Sequence, residues 1–467
     1  MMDTLRADLR QYGPGKKLTL FPHSPPDPHG RSTYKVPDGL KEKRILSERE
    51  EDMSMTALCF DDDNQPHLLD TNQHGDPANS LGVEIIESLS NGNDGDNQVL
   101  LVKILHKPTT DLKFPVPDTH ELAVVKIFDP LFFPEDVPEE EGPWKVTSRA
   151  DMKLSREAGA YKELHAYNLT GYPHLAPQYY GCWTTCLTSH SPDFEGKTRH
   201  VGLVLLEYIQ GTSIRDLCRH GADEALIPPK GRICVHTDGP DSFKFTEEKR
   251  LDILALLLAG VVEQVYKGVW HEYVEPENVL ITMRNKSAIL EAPRVALIAY
   301  DICTIDSKCK KPMNRWERFP HTPHPSKCFD LAKLYGFGGW WPLKWEEKVE
   351  EGEVSPFKAW LLERFGPLDS EKYSYKVVYR RQWLLREKQI KQELERRAKR
   401  QELEAKRKAT KDNSEAKLSR DDPSSHSVAL AAKMGIVVLY DSDGRVSQAT
   451  DSSMDEGSSL ESRTKRR

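Results

Sequence analysis

The sequence predicts an α+β chain in which a strand-rich part precedes a helix-rich part. Three observations carry this. Residues 81–130 hold short apolar runs split by turn residues: "LGVEIIESL", "NGNDGDN", "QVLLVKIL" and "ELAVVKIFDP". Two longer segments, one around 152–170 and one over 246–267, place apolar residues at helical spacing. Strands and helices come in blocks rather than as alternating βαβ units.

Each element follows from its residues. Residues 1–80 are rich in Pro, Gly, His and acidic or amide side chains, as in "FPHSPPDPHGRSTYKVPDG", and are expected to be mostly disordered. A short piece such as "KLTLF" is the exception that could dock. From 81 onward come strand, Gly-containing turn, strand, then a third strand at 121–130. "MKLSREAGAYKELHAYNLT" reads as a helix with Leu154, Ala158, Tyr161 and Leu164 on one face. "LAPQYYGCWTTCL" and "HVGLVLLEYIQG" read as two further strands. "TEEKRLDILALLLAGVVEQVYK" begins with Thr246 as N-cap and two acidic residues in its first turn, which suit the positive end of a helix.

The tail changes character. Five Glu-to-basic pairs at i,i+4, among them Glu387–Lys391 and Glu404–Lys408, favour a helix over 381–411. Residues 386–408 hold ten basic and five acidic side chains, a local charge of +5, so this arm is either a solvated helix or a surface for an acidic protein or RNA. Residues 412–467 are Ser/Asp-rich and are expected to be mostly disordered.

Composition sets limits. The 467 residues are 38% hydrophobic and 30% charged, which fits one compact region diluted by polar ends. The net charge of −7, from 66 basic and 73 acidic residues, gives the whole chain no pull toward nucleic acid or anionic membrane. The longest apolar run, "ILALLLAGVV", is ten residues, about half of a membrane span. The first residues contain no apolar stretch of the signal-peptide kind. Eight cysteines without CxxC spacing point to a reducing compartment, cytoplasmic or nuclear. The nearest pair, Cys182 and Cys186, reads as two thiols ahead of a metal site.

A chemical pattern emerges in order along the chain. Lys126 lies on an apolar strand, and Glu157 follows on a helix. "LLEYIQG" supplies Glu207 and Ile209 at the end of a strand, where backbone groups could meet an adenine edge. "HEYVEPENV" holds His271 and Asn278, and "VALIAYD" ends in Ala299, Tyr300 and Asp301. Transfer of a phosphoryl group from ATP needs such parts: a lysine on the phosphates, a carboxylate to hold it, a residue to orient the hydroxyl, and an amide and carboxylate for Mg²⁺.

This order resembles the protein kinase superfamily, and specifically the divergent kinase-like proteins of filamentous fungi. Those carry "HGDxxPRNV", "LIDF" and an "ExxAYxxL" helix where this chain has "HEYVEPENV", "LIAYD" and "EAGAYKEL". The resemblance covers roughly 81–345 and implies a two-lobed fold, with a small β-rich lobe over 81–212 and a larger helical lobe over 213–380. "GFGGWWPLKW" at 336–345 resembles the Gly/Trp-Pro ending of such proteins.

The departures bear on function. Tyr273 stands where the family keeps the aspartate that orients the hydroxyl, and Ala299 stands where it keeps the Mg²⁺ aspartate. A phenol of pKa ~10 is a poor substitute for the first, and a methyl has no ligand atom for the second. Glu275 occupies the place of a basic residue, and "NGNDGDN" lacks GxGxxG spacing. Asn278 and His271 survive, His271 in a structural role. Asp301, two residues beyond Ala299, is the candidate replacement ligand, but on a strand-like backbone it would lie about 6–7 Å further along.

The resemblance with these losses implies a pseudokinase: a binding or scaffolding module for a protein partner, with no membrane association and no cofactor. ATP and Mg²⁺, held by Lys126, Asn278 and Asp301, enter only if the pocket is competent. The rivals are an unorthodox ATP-dependent kinase using Asp301, and an interaction protein working through its basic helix.

Overall fold

A computed structural model of the chain describes residues 10–38, 47–61, 76–89, 97–110, 112–133, 146–221, 224–235, 242–311, 316, 319–347, 349–350, 353–368, 370–374, 439–440 and 446–447. The centre of the turn "NGNDGDN" and the basic arm at 381–411 lie outside these residues. Residues 388–467 form a unit of their own, in which Leu439–Tyr440 and Val446–Ser447 pair as antiparallel strands.

Six antiparallel strands close into a barrel: β1 (Lys17–His23), β2 (Leu81–Ser88), β3 (Gln98–His106), β4 (Leu122–Phe128), β5 (Tyr179–Thr188) and β6 (Thr198–Glu207), in the order β1-β2-β3-β4-β6-β5. Alternation places Leu20, Val83, Ile85, Val102, Val125, Ile127, Leu203 and Leu205 inside the barrel as one buried cluster. The opposite faces of β4, β5 and β6 carry Phe128, Cys182, Val204 and Leu206 into a second cluster, which includes the helices. Lys126 points the same way, since its neighbours in sequence, Val125 and Ile127, point into the barrel.

The piece "KLTLF", expected to dock, is part of the barrel. The segment 1–80 is not uniformly without structure: "KLTLFPH" is β1, pairing with β2 through Lys17–Leu20 and with β5 through Phe21–His23. It removes what would otherwise be two open sheet edges. Around it, Tyr12 donates a 2.7 Å hydrogen bond to the fully buried Asp129, which also accepts from Arg199 at 2.8 Å. Helix α1 (Met55–Phe60) packs at the same end, where Phe60 stacks on Phe194 at 5.3 Å.

Helix α2 (Val146–Ala166) starts before the predicted segment and buries Leu154, Ala158, Tyr161 and Leu164. Helix α3 (Glu247–Tyr266) is capped as expected, the Thr246 hydroxyl accepting from the Lys249 N–H at 3.3 Å, and buries Ile253, Leu257, Leu258 and Val261. A hairpin of β7 (Val279–Asn285) and β8 (Ala288–Leu297) follows. Trp340, Trp341 and Trp345 from "GFGGWWPLKW" are buried: Trp340 meets Phe245 at 5.6 Å, and Trp345 meets Phe357 and Trp360 of helix α4 (Pro356–Phe365) at 5.2 and 5.1 Å. The helix-rich part is therefore not purely helical, and the mixed α/β content is the level at which the predicted fold class holds.

Candidate functional site

The site is assembled where β4, α2, the 271–278 loop and the chain after β8 meet. Lys126 is buried on β4, not solvent-facing at an edge, because β4 lies between β3 and β6. Its ammonium donates to Glu157 of α2. It also lies 3.5 Å from the Asp301 carboxylate, and Lys153 of α2 lies 3.6 Å from the other oxygen of Asp301.

Asp301 reaches this place through a turn that the sequence reading did not foresee. The expected strand-like backbone ends at Leu297. Ala299 adopts a left-handed conformation (φ 64°, ψ 59°), and Tyr300–Ile302 form a 3₁₀ turn. That turn folds the Asp301 carboxylate back onto the two lysines instead of leaving it further along a strand. The Arg156 Nε donates to the Asp301 carbonyl at 2.6 Å and fixes the turn from the helix side.

The electrostatics follow from this geometry. Burial opposes ionisation of Asp301, but Lys126, Lys153 and Arg156 outweigh it and hold its pKa below the usual carboxylate range. Burial likewise works against the Lys126 charge, while Asp301 and Glu157 raise its pKa. Burial pushes the Glu157 carboxyl up to about 7, against the pull of Lys126. The donor geometry favours the charged Lys126–Glu157 pair.

An aromatic column backs the cluster. Tyr179 of β5 stacks on Tyr161 of α2 at 5.8 Å, Tyr161 meets Tyr300 at 4.9 Å, and Tyr300 meets the His271 ring edge-on at 4.8 Å. Gln264 of α3 donates to the Tyr300 hydroxyl at 2.7 Å. Each such ring pair stabilises by about 0.5–1.5 kcal/mol beyond its area. The column joins the barrel, the helix, the turn and the loop into one packed set.

His271 is bonded to backbone. Its Nε2–H donates to the Ile298 carbonyl at 2.9 Å, just before the Ala299 turn. Burial lowers its pKa to about 4, so the ring is neutral at pH 7. Tyr273 is partly exposed and donates to Glu277 at 3.2 Å. Burial and Glu277 raise its pKa above the usual phenol value, so it acts as a donor and not as a proton acceptor. Asn278 is buried, and its amide donates at 3.3 Å to the Tyr273 carbonyl across the loop. Glu272 pairs with Arg31 at 2.8 Å and accepts from Thr304.

At the other end of the site, the Glu207 carboxylate is engaged by Arg294 through two bonds of 2.7 and 2.9 Å and by the Gln178 N–H at 3.0 Å. The Glu207 N–H donates to the Gln178 carbonyl at 2.9 Å, and the Ile209 side chain is buried. No group of three or more His, Cys, Asp or Glu side chains suited to a metal occurs among the described residues. Cys182 is buried and Cys186 exposed on the same strand, and both are free thiols. No described helix is long and apolar enough to cross a membrane.

A strap formed by residues 27–34 ties the site from outside. Tyr34 donates to the Cys303 carbonyl at 2.7 Å and accepts from the Ile305 N–H at 2.9 Å. The His29 carbonyl accepts from Arg156 at 3.3 Å. Pro28 packs so closely on α2 that a Cβ at Gly159 would lie 2.6 Å from its ring. Sequence reasoning missed this strap, since "PDPHGRSTY" has no periodicity. It also missed Lys153 and Arg156, although their spacing from Glu157 puts all three on one helical face.

No protein-family model matches the chain, and no curated protein matches it. Among solved structures, a mutant form of the Mycobacterium tuberculosis PknI kinase domain is similar at 14% identity, over 47% of this chain and 60% of that one, with a TM-score of 0.25. The Cydia pomonella granulovirus kinase PK-1 is similar at 13% identity, over 48% and 55%, with a TM-score of 0.26. The chain thus spans less than two thirds of either structure.

Proposed function

We propose that the chain is a kinase-like binding module of two lobes, a pseudokinase with little or no phosphoryl transfer, whose partner is a protein. The observation that carries this reading is the closed charge cluster. Lys126, the residue that would grip phosphates, is held between Glu157 and Asp301, and both carboxylates are buried with it. Glu157 is the partner that transfer itself needs, so the closure lies with Asp301: a phosphate reaching this place would have to break its buried contacts with Lys126 and Lys153.

Two further features support the same reading. Ala299 brings only a methyl to the position matched to the metal aspartate. Tyr273 has its hydroxyl committed to Glu277 as a donor, opposite to what deprotonating a substrate requires. Loss of one such group commonly costs about 10²–10⁴-fold in rate. Here two are replaced.

One observation favours the rival reading of an unorthodox kinase. The turn at Ala299 brings the Asp301 carboxylate to within 3.5 Å of Lys126, close to where a metal-binding carboxylate would be wanted. The deciding experiment is thermal denaturation with ATP, with and without Mg²⁺, alongside γ-phosphate transfer to the protein itself and to a generic basic substrate. The pseudokinase reading expects no Mg²⁺-dependent shift and no transfer. Transfer that disappears in Lys126→Ala and Asp301→Asn would establish the rival.

A further inference from the structure

We propose that the groove between α3, β8 and the 365–373 segment seats the chain's own residues 375–385, which dock there in cis. The inference goes beyond the binding-module reading and does not depend on it.

The groove has a volume of about 900 Å³ and runs between α3, the β7–β8 hairpin and the loop at 172–175. Its lining is largely apolar, with Tyr172, Leu175, Leu256, Ala259, Ile289 and Phe365 among its residues. Three of these are exposed: Tyr172 and Leu256 at 48% and Ile289 at 60%. Leu256 belongs to the apolar run "ILALLLAGVV", whose Ile253, Leu254, Leu257 and Leu258 are turned to the core. Large apolar side chains gathered along one groove mark a surface that something covers. Leu175 presses so closely on α3 that a Cβ at Gly260 would stand 2.3 Å from its Cγ, so helix and loop hold the groove's shape together.

Strand β8 adds a second kind of binding surface. Among the described residues it is the outer strand of its sheet, and the Leu297 N–H donates outward to the Leu175 carbonyl at 2.9 Å. Its residues 289–295 line the groove, and Pro293 suits an outer strand, where a ladder donor is not needed. An outer strand beside an apolar trough accepts an extended segment through backbone bonds and alternate side chains.

The occupant is named by where the chain leads. Lys372 and Tyr373 line the groove. Ser374 is fastened beside them: its N–H donates to the Thr322 carbonyl at 2.9 Å, and its hydroxyl accepts from the His321 N–H at 3.0 Å. The residues that follow are "YKVVYRRQWLL". Tyr375, Val377, Val378 and Tyr379 have strong strand preference, and Trp383, Leu384 and Leu385 extend the apolar content. Val377 and Val378 can lie no further than about 10–14 Å from Ser374, so the tether presents them to the groove at high effective concentration. The compact unit that contains the groove continues past Ser374 to Glu387. Charge agrees, since 375–385 carries Lys376, Arg380 and Arg381 and no acid, while the groove carries Glu263 and Glu291. Of the groove's own cations, Arg294 is engaged by Glu207 and Lys372 stands where the segment begins.

The test uses the full chain with the photoreactive p-benzoylphenylalanine in place of Tyr172 or, separately, of Ile289, both exposed positions. Irradiation followed by proteolysis and mass spectrometry reads which residues each probe meets. A mixture of unlabelled and isotope-labelled chains separates cross-links within one molecule from those between two. Both probes are expected to cross-link to 375–385 of the same molecule. The Val377→Asp, Val378→Asp double variant should lower the yield about tenfold or more, and Leu256→Asp, at an exposed position of the groove, about fivefold or more. Amide hydrogen exchange at 288–295 should quicken in the same variants, while exchange in the barrel keeps its wild-type rate.

Cross-links that join two molecules overturn the proposal and assign the groove to a second copy. Cross-links to other parts of the chain, or none from either probe, overturn it as well. So does an unchanged yield in variants whose barrel exchange matches the wild type. ATP binding or phosphoryl transfer by the wild-type chain bears on the proposed function alone.

Discussion

Replacing Asp301 by asparagine removes the charge that two buried lysines share. Asp301 lies 3.5 Å from Lys126 and 3.6 Å from Lys153, and all three side chains are about nine-tenths buried. Asparagine keeps the shape but leaves Lys153 without this carboxylate and Lys126 with Glu157 alone. Breaking a buried ion pair by removing one partner costs about 3–5 kcal/mol, because the remaining charge stays desolvated. At about 2 °C per kcal/mol for a large domain, the melting temperature should fall by roughly 6–10 °C. Urea denaturation followed by tryptophan fluorescence reads the same quantity. The double variant Asp301→Asn, Lys153→Met should recover part of the loss, with a coupling of about 0.5–3 kcal/mol. A loss under about 1 kcal/mol, with no coupling, would refute the closed cluster. It would mean that Asp301 is solvated and free for a metal, and the kinase rival would then gain.

Two further predictions follow from the strap and from a buried histidine. Tyr34→Phe removes the hydroxyl that bridges Cys303 and Ile305, leaving a buried N–H and carbonyl short of partners at about 1–3 kcal/mol. Hydrogen exchange should speed up at 303–305 and in the facing part of α2; faster exchange confined to residues 27–34 would show that the strap holds nothing. His324 is buried, and burial together with Lys327, Lys372 and Lys358 lowers its pKa to about 4, against the partial opposition of its bond to the Gly366 carbonyl. The unfolded chain takes up this proton near pH 6.5 and the folded chain only near 4, so stability falls as pH drops through that window, by about 3 kcal/mol in full. The raised carboxyls of Glu157 and Glu275 act in the opposite direction, losing stability as pH rises toward 7. In His324→Gln, stability should therefore fall less steeply between pH 6.5 and 4 than in the wild type, and equal slopes would dismiss the assignment.

Much of the site could be read from local pattern. Lys126 sits within an alternating apolar stretch and Glu157 within a helical one, and both periods are properties of neighbouring residues. The pairing of the two needed only the assumption that strand and helix pack together. The Thr246 cap and the apolar face of α3 were equally legible, because capping and periodicity act within a single turn or helix. Asn278 and His271 were found by spacing, and the structure sets both within the loop, bonded to backbone.

The misreadings share another origin. "KLTLF" was legible as a piece that could dock but not as a barrel strand, which it becomes because β2 and β5 offer it two free edges. Ala299 carries no preference for a left-handed backbone, which costs a non-glycine residue about 1–2 kcal/mol. It adopts one because Arg156, Lys126 and Lys153 hold the turn that follows. The placement of Asp301, and with it the balance between a metal site and a sealed ion cluster, therefore depends on residues about 150 positions upstream. Periodicity reports which face of an element is buried; it carries no information about which distant charges will meet across that face.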